Sequence, residues 1–230
     1  MRSALHGRVT VVSPHLDDAV LSLGATIVRA TRSGARVEVL TVFAGDPASE
    51  APAHGWDRRG GFATEGEAMA ARRVEDQKAC AIVGADTSWL TFPGGKYAGV
   101  RDKSAIWSSI AAAVEAADAA LVPGFPLVNE DHSWLSELLV ERGLPCPLAL
   151  YAEQPYRYAF RRENPVLPAR VEWTKSGFGV REYRLKRRAI LAYESQIPLL
   201  GLAAGRHRKL NRMLVHEVLR GGEALAWLSR

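Results

Sequence analysis

The chain has 230 residues, of which 47% are hydrophobic and 24% are charged, and these proportions are typical of a folded globular protein rather than a disordered one. No apolar run approaches the roughly 18 residues that a membrane-spanning helix requires, so no membrane span is predicted. The 30 Lys and Arg residues exceed the 25 Asp and Glu residues by five. Neither zinc-finger spacing nor a basic motif interleaved with aromatic residues accompanies this charge, so nucleic acid is not a predicted partner.

Cysteine content and length narrow the class of protein further. The two cysteines, Cys80 and Cys146, are too few for a disulfide framework or a zinc ribbon. No apolar segment typical of a signal peptide precedes the first strand-like run, so a reducing cytoplasm is the expected location.

The length suits one domain over 1–230, with an α/β core at about 1–155 and a helical extension at about 156–230 packed on it. The excess positive charge lies from Arg157 onward, where it would also suit an anionic small molecule.

The apolar periodicity predicts strands and helices that alternate along the first two thirds of the chain. Predicted strands lie at 8–13, 36–43, 88–92, 119–122 and 147–152. Predicted helices lie at 17–32, 65–83, 103–117 and 132–142. The segment 44–64 has no period and is predicted as a long loop, which in a compact domain is commonly functional.

The last third is less regular, with helices predicted at 185–200 and 209–219 and a final strand or tail at 223–228. The alternation of strands and helices predicts an α/β fold, with a Rossmann-like, mostly parallel sheet and helices on both of its faces. The C-terminal part is expected to be the less regular part of this fold.

Ligands of such sheets bind at the carboxyl ends of the strands, and the loop after the first strand carries an unusual group of polar residues. It reads PHLDD at 14–18. An Asp at a helix start is commonly an N-cap, but capping does not account for a second Asp and a His. His nitrogen and Asp oxygen are zinc ligands, and a turn can direct His15 and Asp18 to one ion while Asp17 faces the ion's water.

A third ligand has to come from another strand end, because catalytic zinc usually has three protein ligands and one open position. His132 follows the predicted strand 119–122 and begins the next predicted helix. A lone His in the first turn of a helix is also a common surface residue. The prediction of a metal site therefore depends on the two segments together.

These segments resemble the signatures of a known family. PHLDD at 14–18 resembles the P-H-x-D-D motif of the PIG-L/LmbE-like zinc-dependent N-acetylglucosaminyl deacetylases, and NEDH at 129–132 is similar to their H-x-D-H motif. RRVE at 72–75 is similar to the family's R-x-x-E helix, and LYAEQPY at 150–156 and AYESQ at 192–196 are similar to segments of the subgroup with PHLDD. The resemblance covers about 8–200.

The resemblance implies a bacterial hydrolase that removes an N-acetyl or similar small acyl group from a small amino-sugar conjugate, anionic conjugates included. It implies that His15, Asp18 and His132 bind Zn²⁺ or another divalent transition metal. Asp17 matches the general base that activates the metal-bound water. Asn129 stands where the family has a His that stabilises the oxyanion or protonates the leaving group. Arg72 is a candidate contact for a sugar hydroxyl or phosphate, although a solvated arginine on a helix surface needs no function. Neither the residues nor the resemblance predicts the oligomeric state.

Two departures from the family pattern affect this prediction. Asn129 stands where the family has a His, and an amide can donate a hydrogen bond but cannot transfer a proton at neutral pH. The alternative is therefore a metal-binding relative with weak or altered amidase activity. The segment at 93–96 also lacks an Asp that contacts substrate in relatives, and Lys96 and Tyr97 are candidates to replace it.

The remaining polar segments allow other interpretations. A nucleotide-binding Rossmann module needs a glycine-rich turn after the first strand, whereas the two acids present there would repel a pyrophosphate. In the predicted loop at 44–64, Trp56 could stack on a sugar or an aglycone, and His54 is a candidate additional ligand or acid. A surface role is the simpler interpretation of His54.

Overall fold

The computed structural model of the chain describes residues 5–156 and 171–228. Within these residues, seven strands form a single sheet. The strands are β1 (Arg8–Ser13), β2 (Arg36–Thr41), β3 (Asp86–Trp89), β4 (Ala119–Phe125), β5 (Leu148–Ala152), β6 (Thr174–Ser176) and β7 (Glu223–Trp227). Residues 157–170, where the predicted extension and the excess of positive charge begin, lie outside the described residues.

The strand order is β3-β2-β1-β4-β5-β7-β6. The first five of these strands are parallel to one another, whereas β7 runs antiparallel to both β5 and β6. The predicted α/β fold with a mostly parallel sheet is thereby confirmed. In the order 3-2-1-4-5, the strand order reverses between β1 and β4, and this switch point opens a crevice at their carboxyl ends.

Helices cover both faces of the sheet. Among the described residues they are α1 (Asp18–Arg32), α2 (Gly55–Arg59), α3 (Glu65–Val83), α4 (Lys103–Ala113), α5 (Glu130–Arg142), α6 (Val180–Ile190), α7 (Gln196–Leu199) and α8 (Ala204–Leu219). One hydrophobic cluster joins the sheet to α1, α3, α6 and α8, and a second cluster joins it to α4 and α5. None of the helices in this part of the chain is long and apolar enough to cross a membrane.

The structure differs from the predicted elements at several places, among them the strand β6, which the sequence pattern did not predict. The segment 44–64 contains the short helix α2, and the predicted helix at 185–200 is two helices, α6 and α7. The break between them is held by Glu75, whose carboxylate accepts hydrogen bonds from both the backbone N–H and the hydroxyl of Ser195 at 2.7 Å. The end of the chain, for which a strand and a tail were both expected, forms β7 because it pairs with β5.

A buried ion cluster ties the C-terminal elements to α1. Lys186 on α6 is fully buried, and its Nζ donates to Glu217 at 2.7 Å and to Glu223 at 2.6 Å. Burial disfavours the ammonium form of Lys186, but the two carboxylates outweigh it and raise its pKa. Glu223 also accepts the backbone N–H groups of Ala25 and Thr26 in α1. These contacts fix the helix whose first turn begins at the crevice.

We expect Lys186→Met to lower the free energy of unfolding by about 3–5 kcal/mol, because it leaves two buried carboxylates without their cation. Chemical denaturation followed by circular dichroism measures the change. Lys209→Met, at an exposed position of α8, is the matched control and is expected to change stability by no more than about 0.5 kcal/mol. Equal midpoints for the two variants would show that the ion cluster does not stabilise the fold.

Candidate metal centre

The two sequence segments that carry the candidate ligands meet at the switch point of the sheet. Residues 14–17 follow β1 and lead directly into α1, and residues 126–129 follow β4 and lead into α5. Because β1 and β4 are adjacent and parallel, their carboxyl ends lie side by side. The fold thus brings together His15 and His132, which are 117 residues apart in the chain.

Three side-chain atoms form a nearly equilateral triangle at this point. His15 Nδ1 lies 3.0 Å from His132 Nε2 and 3.2 Å from Asp18 Oδ2, and His132 Nε2 lies 3.1 Å from the same Asp18 oxygen. Around a tetrahedral zinc ion with bonds of about 2.0–2.1 Å, ligand atoms are about 3.3 Å apart. The triangle therefore has the size of one face of such a site.

The outer nitrogens of both imidazoles contact carboxylates. His15 Nε2 lies 2.8 Å from Asp131 Oδ2, and His132 Nδ1 lies 2.5 Å from Glu153 Oε1. A neutral imidazole has one proton, and these carboxylates place it on the outer nitrogen, as in many metal sites. The inner nitrogens then present lone pairs to each other and to Asp18. A divalent cation relieves this repulsion, so the donor set fits a metal ion.

Protons and a metal ion compete for this cluster. Burial opposes a charged imidazole at His15, but hydrogen bonds with Asp131 and Asp18 outweigh it and raise its pKa. Burial opposes charge at His132 as well, yet Asp18 and Glu153 hold its pKa well above the usual value. The two imidazoles in turn lower the pKa of Asp18 against the effect of burial. Because ligands must lose protons to bind a metal, affinity is expected to fall as the pH falls.

Asp17 lies beside the triangle and makes no capping contact. It occupies the N-cap position of α1, but its side chain accepts no capping hydrogen bond, so the capping interpretation of this residue is not supported. Burial, followed by the neighbouring charge of Asp18, raises the pKa of Asp17 to about 7. A carboxyl group with such a pKa can accept and release a proton near neutral pH.

The two predicted substrate contacts, Arg72 and Asn129, both line the same pocket. Arg72 on α3 is 8% exposed. Its Nη1 lies 3.3 Å from Asp57, and its Nε has no hydrogen-bond partner among the described residues. Asn129 caps α5, with its Oδ1 accepting the N–H of Asp131 at 2.8 Å. The Nδ2 group is therefore the donor that Asn129 can offer to a substrate.

The pocket has a volume of about 330 Å³, which is enough for a sugar-sized ligand. The segment 44–64 forms one wall and is attached on two sides. Trp56 Nε1 donates to Gln196 at 2.7 Å, and the Tyr97 hydroxyl donates to Asp57 at 3.1 Å. His54 packs its ring near Tyr97 and does not belong to the group of converging ligand atoms.

Sequence reasoning did not assign roles to four residues of this site. Asp131 and Glu153 lie within the segments that resemble the family, but no local spacing predicts that their carboxylates face the two imidazoles. Asp57 and Arg101 belong to no motif, and only the folded chain places them beside Arg72 and Asp131.

A family model described as PIG-L, GlcNAc-PI de-N-acetylase, matches residues 10–142, which is more than half of the chain. No curated protein matches the chain at a significant level. Among solved structures, the chain is similar to the A40926 pseudoaglycone deacetylase Dbv21, with 28% sequence identity and a TM-score of 0.79 over 96% of both chains.

The chain is also similar to a triple mutant of the deacetylase Orf2 of the teicoplanin biosynthetic pathway. The two share 26% identity with a TM-score of 0.80, over 97% of this chain and 98% of that one. The N,N'-diacetylchitobiose deacetylase from Pyrococcus horikoshii shares the fold at 17% identity and a TM-score of 0.59, over 94% of this chain and 78% of that one.

We expect the chain to bind one zinc ion and to gain thermal stability when it does, because the ion binds only the folded arrangement. His132→Ala should lose most of both effects, since it removes one of three ligands. Metal analysis after dialysis and a thermal shift with zinc chloride measure them. His54→Ala removes an imidazole from the same pocket and is expected to behave like the unchanged protein. Full metal occupancy in His132→Ala would show that the ligands lie elsewhere.

Proposed function

The chain belongs to the PIG-L family, and we propose that it is a zinc-dependent deacetylase that removes an N-acetyl or similar small acyl group from an amino-sugar conjugate. The observation that carries the proposal is the triangle of His15, Asp18 and His132 beside the buried carboxyl of Asp17, at the inner end of a sugar-sized pocket. Two similar structures, Dbv21 and Orf2, are deacetylases, which supports the same class of reaction.

The donor set favours zinc over the hard cations. Mg²⁺ and Ca²⁺ prefer sites made of oxygen atoms, whereas two imidazole nitrogens and one carboxylate are typical ligands of zinc and of other divalent transition metals. When bound, such an ion polarises the acyl carbonyl and lowers the pKa of water.

Asp17 supplies the proton transfers in this proposal. It accepts a proton from the attacking water as the new C–O bond forms, and it returns that proton to the nitrogen as the C–N bond breaks. The products are the free amine and the carboxylic acid. Burial raises the pKa of Asp17 above that of a free carboxyl group, which favours both transfers, because a group that titrates nearer the working pH is a more effective base and then a more effective acid.

Asn129 is assigned to the oxyanion. Because its Oδ1 is held by the N–H of Asp131, its amide orientation is fixed, and its Nδ2 can donate to the oxygen on which negative charge develops. An amide at this position cannot transfer a proton, so either Asp17 acts as both base and acid, as proposed here, or another group of the pocket supplies the acid. The alternative, a metal-binding relative with weak or altered amidase activity, applies if one carboxyl group cannot carry both transfers efficiently.

The lining of the pocket supports the proposal of a sugar ligand. Arg72 lines the pocket, and its guanidinium is a candidate donor to a sugar hydroxyl or an anionic oxygen. Trp56 and Tyr156 line the same pocket and offer aromatic surface for a sugar or for the group attached to it. We propose a small amino-sugar conjugate as substrate and the bacterial cytoplasm as the setting. Release of amine from a panel of N-acetylglucosamine glycosides, measured with zinc present, tests this function.

We expect Asp17→Asn to keep zinc and to lower kcat by about 100- to 10,000-fold, because the amide retains the shape but cannot accept the proton. Metal analysis and turnover are measured on the same sample. Asp86→Asn, at an exposed position at the opposite edge of the sheet, should leave both unchanged. Loss of zinc together with turnover would contradict the assignment of Asp17 as the base.

We expect Asn129→His to preserve or raise turnover, since an imidazole can donate to the oxyanion and can also transfer a proton. Asn129→Asp is the matched comparison. It keeps the oxygen that caps α5 but removes the Nδ2 donor, and should lower kcat by about 100-fold or more. A collapse of turnover in Asn129→His with zinc content unchanged would show that Asn129 makes a specific contact with substrate.

A further inference from the structure

We propose that Arg101 is a positioning residue for the metal centre, because it fixes the carboxylate of Asp131, which in turn fixes the ring of His15. This inference rests on the proposed metal site and extends it to a side chain that belongs to no recognised motif. Arg101 lies in the segment between Tyr97 and α4, outside the group of ligands.

Arg101 sits in a corner formed by two aromatic rings. Its guanidinium carbon lies 4.8 Å from the ring centre of Phe43 and 5.0 Å from that of Trp134, within the range of cation–π attraction. Phe43 follows β2, whereas Trp134 belongs to α5. These rings, on two separate elements of the fold, hold the guanidinium, so its position does not depend only on its contact with the carboxylate.

Both oxygens of Asp131 are used. Nη2 of Arg101 donates to Oδ1, while Oδ2 accepts the N–H of Gly95 at 2.7 Å and contacts His15 Nε2 at 2.8 Å. Three donors on one carboxylate determine the direction in which each oxygen faces. Asp131 therefore cannot turn away from His15 without losing its contact with Arg101.

The loop before Gly95 closes directly over this pair. A Cβ atom at Gly94 would lie 3.1 Å from Oδ2 of Asp131, 3.4 Å from Nε2 of His15 and 2.9 Å from Cβ of Phe43. Only a residue without a side chain lets the backbone come this close. The contact between Asp131 and His15 is thus enclosed by the loop on one side and by Arg101 on the other.

The two imidazoles of the centre are supported in different ways. On the His132 side, Glu153 accepts a backbone N–H from Leu127 at 3.0 Å. On the His15 side, Asp131 depends on a side chain, that of Arg101, for the contact at its second oxygen. The Nε of Arg101 is buried without a partner among the described residues. Within this part of the chain, the hydrogen bond with Asp131 is therefore the polar contact that explains a guanidinium at this position.

The competing explanation is that Arg101 only packs between the two aromatic rings. The variant Arg101→Met distinguishes this packing role from the support of Asp131. Methionine keeps contact with both rings but has neither charge nor hydrogen-bond donors. We expect Arg101→Met to weaken zinc binding about 10- to 100-fold, the usual effect of removing an outer support of a metal ligand, and to change the visible absorption spectrum of the cobalt-substituted protein. Arg101→Lys keeps the charge but lacks the planar donor pair and should recover part of the affinity.

Competition with a chromophoric chelator measures zinc affinity, and circular dichroism confirms folding of each metal-free variant. The matched control is Arg142→Met, because Arg142 lies 5.9 Å from the ring of Trp107 and, like Trp134, belongs to α5, but does not contact Asp131. It is expected to leave zinc affinity and the cobalt spectrum unchanged. Unchanged affinity and spectrum in Arg101→Met would overturn the proposal.

A double-mutant cycle tests whether Arg101 acts through Asp131. If it does, Arg101→Met should have little further effect on zinc affinity once Asp131→Asn is present. Additive losses of affinity in the cycle would overturn this role and assign Arg101 to packing. If the unchanged protein binds no zinc at all, the proposed metal-dependent function fails together with this inference. A bound zinc ion with no effect of Arg101 rejects the inference alone.

Discussion

The convergence of three candidate metal-ligand atoms on one point is the constraint on which this structure depends. The inner nitrogens of His15 and His132 and an oxygen of Asp18 lie within 3.2 Å of one another, an arrangement that is unfavourable unless a cation or protons occupy it. The fold maintains it because β1 and β4 are adjacent and parallel, so both segments end at one edge of the sheet. The buried ion cluster of Lys186 holds α1 in place behind it.

Neighbouring carboxyl groups at the start of α1 acquire different properties from their surroundings. Asp18 faces the two imidazoles, which lower its pKa, whereas Asp17 is buried beside that charge and has a pKa raised to about 7. Separation of the pKa values of two acids is a common way in which one site obtains both a permanent anion and a proton carrier. Asp18 can therefore serve as the metal ligand and Asp17 as the base, although both are aspartates.

Much of the fold and part of the site could be predicted from the sequence, because both depend on local patterns. Apolar periodicity indicates each strand and helix of the core, and the group of acids and a His after β1 indicates a ligand site. The support of that site has no local pattern, because Glu153 meets His132 from 21 residues away and Arg101 meets Asp131 from 30 residues away. The sequence also could not separate a capping Asp from a chemical one, since the distinction is a hydrogen bond that Asp17 does not make.

Asn129 links the architecture of α5 to the chemistry of the pocket. Its oxygen accepts a hydrogen bond from the backbone N–H of Asp131, and the carboxylate of Asp131 contacts His15. The cap of α5 is therefore the first of the contacts that orient His15, the proposed metal ligand. An imidazole at 129 could transfer a proton, but it offers a poorer cap than an amide oxygen. The position therefore cannot be optimised for capping and for proton transfer at once. With Asn present the protein has the better cap, and the proposed mechanism assigns both proton transfers to Asp17, whose pKa is raised by burial.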